Sequence, residues 1–124
     1  MAMEIHKSAE DYLEAMLMLK EERGYIKSVN IAEKLNVSKP SVSTAVKHLR
    51  ENGYITMDRS GFITLTDSGM EIASKIYDRH KTLTVFFQML GVDSDTALDD
   101  ACKVEHDISD QTFKAIKKQI KKMS

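Results

Sequence analysis

Apolar residues recur along this chain at two different spacings, and the switch between them marks out its elements. Leu13, Met16, Leu17 and Leu19 form a stripe at helical spacing, and Gly24 follows the charged run Lys20-Glu-Glu-Arg23 as a stop signal. The pattern predicts a first helix opening at Ser8. A short second helix is expected to start with Ser28 as its cap and to carry Ile31, Ala32 and Leu35 on its apolar side. Asn36-Val37-Ser38 reads as a tight turn. Ser38 then caps a third helix, with Pro40 in the first turn, where a missing N–H costs nothing. Val42, Val46 and Leu49 are spaced as its buried stripe. The helical period stops at Asn52-Gly53. Tyr54–Met57 and Phe62–Leu65 are short runs rich in β-formers on either side of the turn Asp58-Arg59-Ser60-Gly61. Two short helices joined by a tight turn and followed by a hairpin have the order of a winged helix-turn-helix.

Helical spacing resumes after the hairpin. Thr66 or Asp67 is expected to cap a long helix running to about Leu90, with Ile72, Ile76, Leu83, Phe86, Phe87 and Leu90 as its apolar surface and Gly91 as its end. Asp93 or Ser94 starts another helix, and Ser109 the last. That last helix has Phe113, Ile116 and Ile120 on one side, and Lys117, Lys118, Lys121 and Lys122 near its end, where cations suit the helix dipole. The expected fold is mainly α: an N-terminal winged helix-turn-helix domain over residues 1–72, followed by an all-helical dimerisation domain over residues 73–124. The second part is too small to bury Phe86, Phe87, Leu90, Phe113 and Ile116 alone. Pairing of two copies into a homodimer is the expected remedy.

Composition narrows the class. A chain of 124 residues makes one domain or two small lobes. No long apolar run and no charged-then-apolar leader are seen, so neither a membrane span nor secretion is expected. The single Cys rules out an internal disulfide and fits a reducing cytoplasm. A net charge of -1 does not mark a nucleic-acid binder, but its distribution says more. Between Lys34 and Arg59, five basic residues (Lys34, Lys39, Lys47, Arg50, Arg59) stand against Glu51 and Asp58, whereas the first 33 residues are acidic. Ser38, Lys39, Pro40, Ser43, Thr44 and Lys47 lie at the start or on the outer face of the third helix, and Arg59 sits at the hairpin tip. Singly, each basic residue is a solvated side chain. In this order of elements they form a surface for base edges and phosphates of double-stranded DNA.

The candidate chemistry lies in Cys102-Lys-Val-Glu105-His106. Three ligand-type side chains at i, i+3 and i+4 share one face of a helix. A thiolate, a carboxylate and an imidazole can together grip a divalent ion. Asp11 and Glu14 are likewise three apart. Each has a plainer reading by itself: a buried small Cys, a surface His, a solvated acidic face. His6 and His48 fit no ligand pattern, although His48 could face DNA.

The arrangement resembles the DtxR/MntR family of metal-dependent transcriptional repressors, over nearly the whole chain. The resemblance is carried by Ser8-Ala-Glu-Asp-Tyr-Leu-Glu14, Ile31-Ala-Glu-Lys-Leu35, Leu65-Thr-Asp-Ser-Gly69, Arg79-His80, and Asp99-Asp-Ala-Cys-Lys-Val-Glu-His106 followed by Ser109. It implies metal ligands at Asp11, Glu14, His80, Cys102, Glu105 and His106. It implies Mn²⁺ or Fe²⁺ as the metal, with Co²⁺, Ni²⁺ or Zn²⁺ able to substitute in vitro. A palindromic operator and repression of manganese- or iron-uptake genes follow from the same likeness. Two departures stand out. Iron-type members carry Met where this chain has Asp11, and manganese-type members usually carry a carboxylate where it has Cys102. Thr84 and Leu98 occupy the places of an ancillary Glu and His, so an iron-type ancillary site is not expected. Nor is the SH3-like third domain of longer members, since the sequence stops at Ser124. Two other classes compete: a winged-helix regulator sensing a small organic ligand, and a metalloenzyme with an open coordination position. No separate general base or Gly-rich loop supports the enzyme.

Overall fold

The apolar stripes of the first half become one core. In the computed structural model, residues 7–124 are described; His6 and the rest of the first six residues lie outside them. Helices α1 (Lys7–Arg23), α2 (Ser28–Leu35) and α3 (Lys39–Glu51) are followed by strands β1 (Ile55–Met57) and β2 (Ile63–Leu65), then by α4 (Asp67–Met89), α5 (Ser94–Val104) and α6 (Asp110–Met123). The chain divides into two compact units between Ser74 and Lys75, inside α4.

In the first unit, α1 packs on α2 and α3. Leu13, Met16 and Leu19 of α1, Ile31 of α2 and Val42, Val46 and Leu49 of α3 are buried together with Ile26, Ile55 and Ile63. Removing this much apolar surface from water, at about 25 cal/mol per Å², is the main force holding three short helices in place. Ser38 caps α3 as expected, its Oγ accepting from Ser41 N–H at 3.2 Å. Ser28 does not cap α2. It is the first helical residue, and the cap position is Lys27, whose side chain makes no capping bond. The turn between α2 and α3 is closed by Asn36 in the left-handed region, φ 54°; Asn tolerates that conformation better than most residues.

The hairpin is antiparallel, pairing Ile55 with Leu65, Thr56 with Thr64 and Met57 with Ile63. Each strand is one residue shorter than the sequence pattern suggested: Tyr54 and Phe62 lie outside the paired strands, although their carbonyls accept from Thr66 and Asp58 N–H, both at 3.0 Å, and Phe62 bridges Lys27. At the tip, the Asp58 carboxylate accepts from Ser60 and Phe62 N–H, both at 2.9 Å. Ile63 N–H also donates to the Ile26 carbonyl at 2.9 Å, which ties the hairpin to the segment between α1 and α2.

In the second unit, Ile76, Leu83, Ala97, Ala101 and Phe113 are buried. Phe113 was expected to need a second copy to cover it; instead it is buried within this unit. Leu90 (60% exposed), Val85 and Leu98 remain at the surface. The Asp93 position caps α5 without a side-chain bond, while Ser109 caps α6 through Thr112 N–H at 3.2 Å. No helix of the described residues is long and apolar enough to cross a membrane.

Candidate metal centre and DNA-binding surface

The second unit gathers three ligand-type side chains from two helices. His80 projects from the middle of α4, one residue after Arg79. Cys102 lies in the last turn of α5, and Glu105 is that helix's C-cap, still helical in backbone and with its N–H bonded to the Ala101 carbonyl at 2.9 Å. One donor atom from each of His80, Cys102 and Glu105 lies within 4.8 Å of the others. His80 Nδ1 is 2.8 Å from Glu105 Oε2 and 3.6 Å from Cys102 Sγ.

The sulfur–nitrogen separation suits a shared ion, whereas the 2.8 Å nitrogen–oxygen separation is that of a hydrogen bond, which an ion would replace. A tetrahedral ion with metal–sulfur near about 2.3 Å and metal–nitrogen near about 2.05 Å holds those two donors about 3.6 Å apart. Glu105 and His80 are buried, whereas Cys102 is exposed. The electrostatics also favour a cation. The Cys102 side chain, and after it the Glu105 carboxylate, raise His80 from its ordinary 6.5 to about 10 despite burial. The surroundings of Nδ1 thus favour positive charge, and His80 must release its proton there before that nitrogen can hold a metal ion.

His106 departs from the simple helical picture. The helix ends at Val104, so the i+4 residue sits in the turn beyond it. Its Nε2 nevertheless lies 3.4 Å from Glu105 Oε1, with both side chains almost fully buried. In the first unit, Asp11 and Glu14 share a face of α1; Asp11 is half-buried and Glu14 buried, not the solvated pair that two helix carboxylates usually make. Thr84, which resembles no ligand, donates its hydroxyl to the His80 carbonyl at 2.7 Å, and Leu98 is exposed.

The candidate DNA-contacting residues all lie at the surface of the first unit. Lys39, Pro40, Ser43, Thr44 and Lys47 are exposed on α3, Ser38 is exposed at its N-cap, and Arg59 is exposed at the hairpin tip. Thr44 Oγ1 is turned back to donate to the Pro40 carbonyl at 3.0 Å. Arg50 was counted in the basic stretch but not assigned to the DNA surface, and Lys27 was not singled out from the sequence. Arg50 joins Lys47 at a groove of about 520 Å³ between α3 and β1, lined also by Thr56 and Met57; its i+3 spacing from Lys47 was the available signal. Lys27 sits over the Phe62 ring at 4.5 Å, and Tyr25 meets the same ring edge-on. No spacing rule links these three, since the hairpin brings Phe62 to them.

Comparison with known proteins agrees in both halves. Residues 4–61 match the iron-dependent repressor N-terminal DNA-binding domain, and residues 66–124 match the iron-dependent repressor metal-binding and dimerisation domain. An uncharacterised HTH-type transcriptional regulator of Methanocaldococcus jannaschii is 41% identical over 90% of each chain. The HTH-type transcriptional regulator MntR of Bacillus subtilis is 35% identical over 82% of this chain and 72% of its own. Among solved structures, that of the manganese regulator SloR matches with a TM-score of 0.79 at 32% identity, covering 96% of this chain and 55% of that one. This chain spans about half the length of that structure and of several others it resembles, and 91% of the hypothetical protein SSo2273 of Sulfolobus solfataricus, a likeness of fold at 19% identity and a TM-score of 0.68. The family consists of DNA-binding transcriptional regulators rather than enzymes. With a winged helix-turn-helix in one unit and a His-Cys-Glu cluster in the other, the chain belongs to the DtxR/MntR family of metal-dependent transcriptional repressors.

Proposed function

We propose that this protein is a cytoplasmic, homodimeric repressor that binds a palindromic operator when loaded with a divalent metal, and that it controls manganese- or iron-uptake genes. The observation that carries the reading is the approach of His80, Cys102 and Glu105 donors to within 4.8 Å. In this reading residues 1–72 bind DNA, and residues 73–124 dimerise and bind metal.

His80, Cys102, Glu105 and His106 supply ligands from the second unit, and Asp11 and Glu14 supply carboxylates from the first. The bound ion supplies two positive charges and coordination bonds that neutralise this acidic set. Without it, Asp11 and Glu14 repel Glu105 and disfavour the arrangement that brings the units' ligands together. A coupling of about 1–3 kcal/mol between ligand closure and DNA binding is enough for a useful switch. Ser38, Lys39, Pro40, Ser43, Thr44 and Lys47 present the start and outer face of α3 to the major groove, and Arg59 reaches phosphate or minor groove from the wing. A two-fold pair of such surfaces reads a palindrome. Exposed Leu90, Val85 and Leu98 in the second unit supply apolar surface of the kind that self-association covers.

Operator affinity, read by gel shift at fixed ionic strength, is expected to rise about 5–150-fold from chelator to excess Mn²⁺ or Fe²⁺. Equal affinity in both conditions would sink the switch. The choice of metal turns on one atom. Asp11, Glu14 and Glu105 are hard oxygen donors suited to Mn²⁺, while the Cys102 thiolate favours Fe²⁺, Co²⁺ or Zn²⁺. The pair Asp11-x-x-Glu14 has the manganese-type form and tips the reading toward manganese. Cys102→Asp is therefore expected to weaken Co²⁺ and Zn²⁺ relative to Mn²⁺ in competition titrations. An unchanged ranking would show that the thiol does not set preference.

A further inference from the structure

His80 and its neighbour Arg79 reach the same residue, Glu105, from one turn of α4. His80 meets the carboxylate. Arg79 meets the main chain: its Nη1 donates to the Glu105 carbonyl at 3.1 Å and to the Ile108 carbonyl at 2.7 Å, and its Nη2 donates to the Asp110 carboxylate in the first turn of α6. The guanidinium carbon also lies over the Phe113 ring, 5.4 Å from its centre. It is 5% exposed, so these bonds form away from bulk water. We propose that Arg79 is a positioning residue for the metal centre: its guanidinium fork fixes the backbone between α5 and α6, and so sets the distance at which Glu105 and Cys102 face His80.

The proposal rests on the metal-site reading above and adds the part that makes it rigid. The last carbonyls of a helix have no partners within it. Here α5 ends at Val104, and Asp107 and Ile108 N–H bond back to the Val104 carbonyl at 3.0 and 3.2 Å. The carbonyls of Glu105 and Ile108 are taken by Arg79 instead. A planar, always-charged fork with several fixed N–H directions can hold two carbonyls and a carboxylate at once, which a lysine ammonium on a flexible stem does poorly. Asp110 completes the grip, and Arg79 and Lys75 together hold its carboxyl below the usual range. Because Arg79 and His80 are consecutive on α4, any slip of the α5–α6 turn against Arg79 is a slip of Glu105 against His80. Partners that orient ligands in this way typically change metal affinity 10–100-fold when lost.

The test uses the full-length dimer and Co²⁺ alone as probe, comparing wild type with Arg79→Gln, Arg79→Lys and Asp110→Asn. Three quantities are read: Co²⁺ affinity, the thiolate-to-cobalt charge-transfer band at saturating Co²⁺, and thermal unfolding of the metal-free protein. Arg79→Gln is expected to lose about 10–100-fold in affinity and to shift or weaken the band even at saturation. Arg79→Lys should recover only part of this, and Asp110→Asn should fall between wild type and Arg79→Gln. A purely structural role would lower the unfolding temperature and leave the saturated band unchanged; that result overturns the proposal. Should Arg79→Gln fail to fold, Arg79→Lys and Asp110→Asn decide, and wild-type affinity and band in both overturn it. A wild-type protein with no band, or a band that survives Cys102→Ser, overturns the metal-site reading and this proposal with it.

Discussion

Glu105→Gln is expected to lower divalent-metal affinity by at least about 100-fold and to remove metal-dependent operator binding at concentrations that saturate the wild type. Glu105 is 1% exposed, and its two oxygens face different imidazoles: Oε2 lies 2.8 Å from His80 Nδ1, and Oε1 lies 3.4 Å from His106 Nε2. No other acidic side chain of the second unit's described residues joins His80 in the ligand cluster. Glutamine keeps the shape but removes the charge and replaces one oxygen with an N–H₂ donor, which cannot ligate. Loss of groups that merely orient ligands costs about 10–100-fold, so loss of a buried, charged ligand should reach or pass the upper end. The same change removes one of the two influences that hold His80 at about 10, leaving Cys102 as the larger one. Isothermal titration with Mn²⁺, paired with Co²⁺ absorption, measures the loss. An affinity within tenfold of wild type would mean that Glu105 is a structural acid rather than a ligand.

The contrast between Glu105 and Arg79 shows what the sequence could carry. Ligand types at i and i+3 were legible because helical spacing converts directly into a shared face, and Cys102 and Glu105 do share one. His106 was placed on the same helix because nothing in Val104-Glu-His-Asp breaks one: there is no Gly or Pro there. The helix ends because the chain must turn toward the Ser109 cap of α6, and Arg79 holds that turn. Arg79 was visible only as part of a motif. Its partners are main-chain carbonyls 26 and 29 residues away, and main chain has no sequence signature.

Local chemistry was read more reliably than packing. Ser38 capping α3 follows from its own hydroxyl and the Pro40 after it. Ser28 was misread by one residue, because a Ser at the first helical position looks the same as one at the cap. The stripes of α1 and α3 identified buried faces correctly. For α6 the stripe gave the face but not its cover, so Phe113 was assigned to the surface that pairing would cover, when it is buried within the second unit itself. The acid pair on α1 had the opposite fate: spacing alone suggested a solvated face, and Glu14 is buried.

Gly69→Ala is expected to destabilise the protein by about 3 kcal/mol, lowering its unfolding temperature by roughly 10–20 °C. The sign is not obvious, because alanine inside a helix is normally favoured over glycine by about 1 kcal/mol. Gly69 lies in the first turn of α4 and is buried. A Cβ there would overlap the Tyr54 carbonyl oxygen and lie 3.0 Å from its carbonyl carbon. Those atoms are main chain and cannot rotate away. They are also pinned: Tyr54 N–H bonds to the Leu49 carbonyl at 3.0 Å, the Tyr54 carbonyl accepts from Thr66 N–H at 3.0 Å, and Thr66 Oγ1 bonds to the Gly53 carbonyl at 2.7 Å. Relief would require the start of α4 to move off the segment joining α3 to the hairpin. That motion displaces the wing and Arg59 relative to α3, so operator affinity should fall along with stability. Thermal unfolding by circular dichroism tests the first effect, and gel shift at a temperature where the variant is folded tests the second. If the variant were as stable as wild type, helix propensity would have won and the close approach at Tyr54 would not be a constraint on this fold.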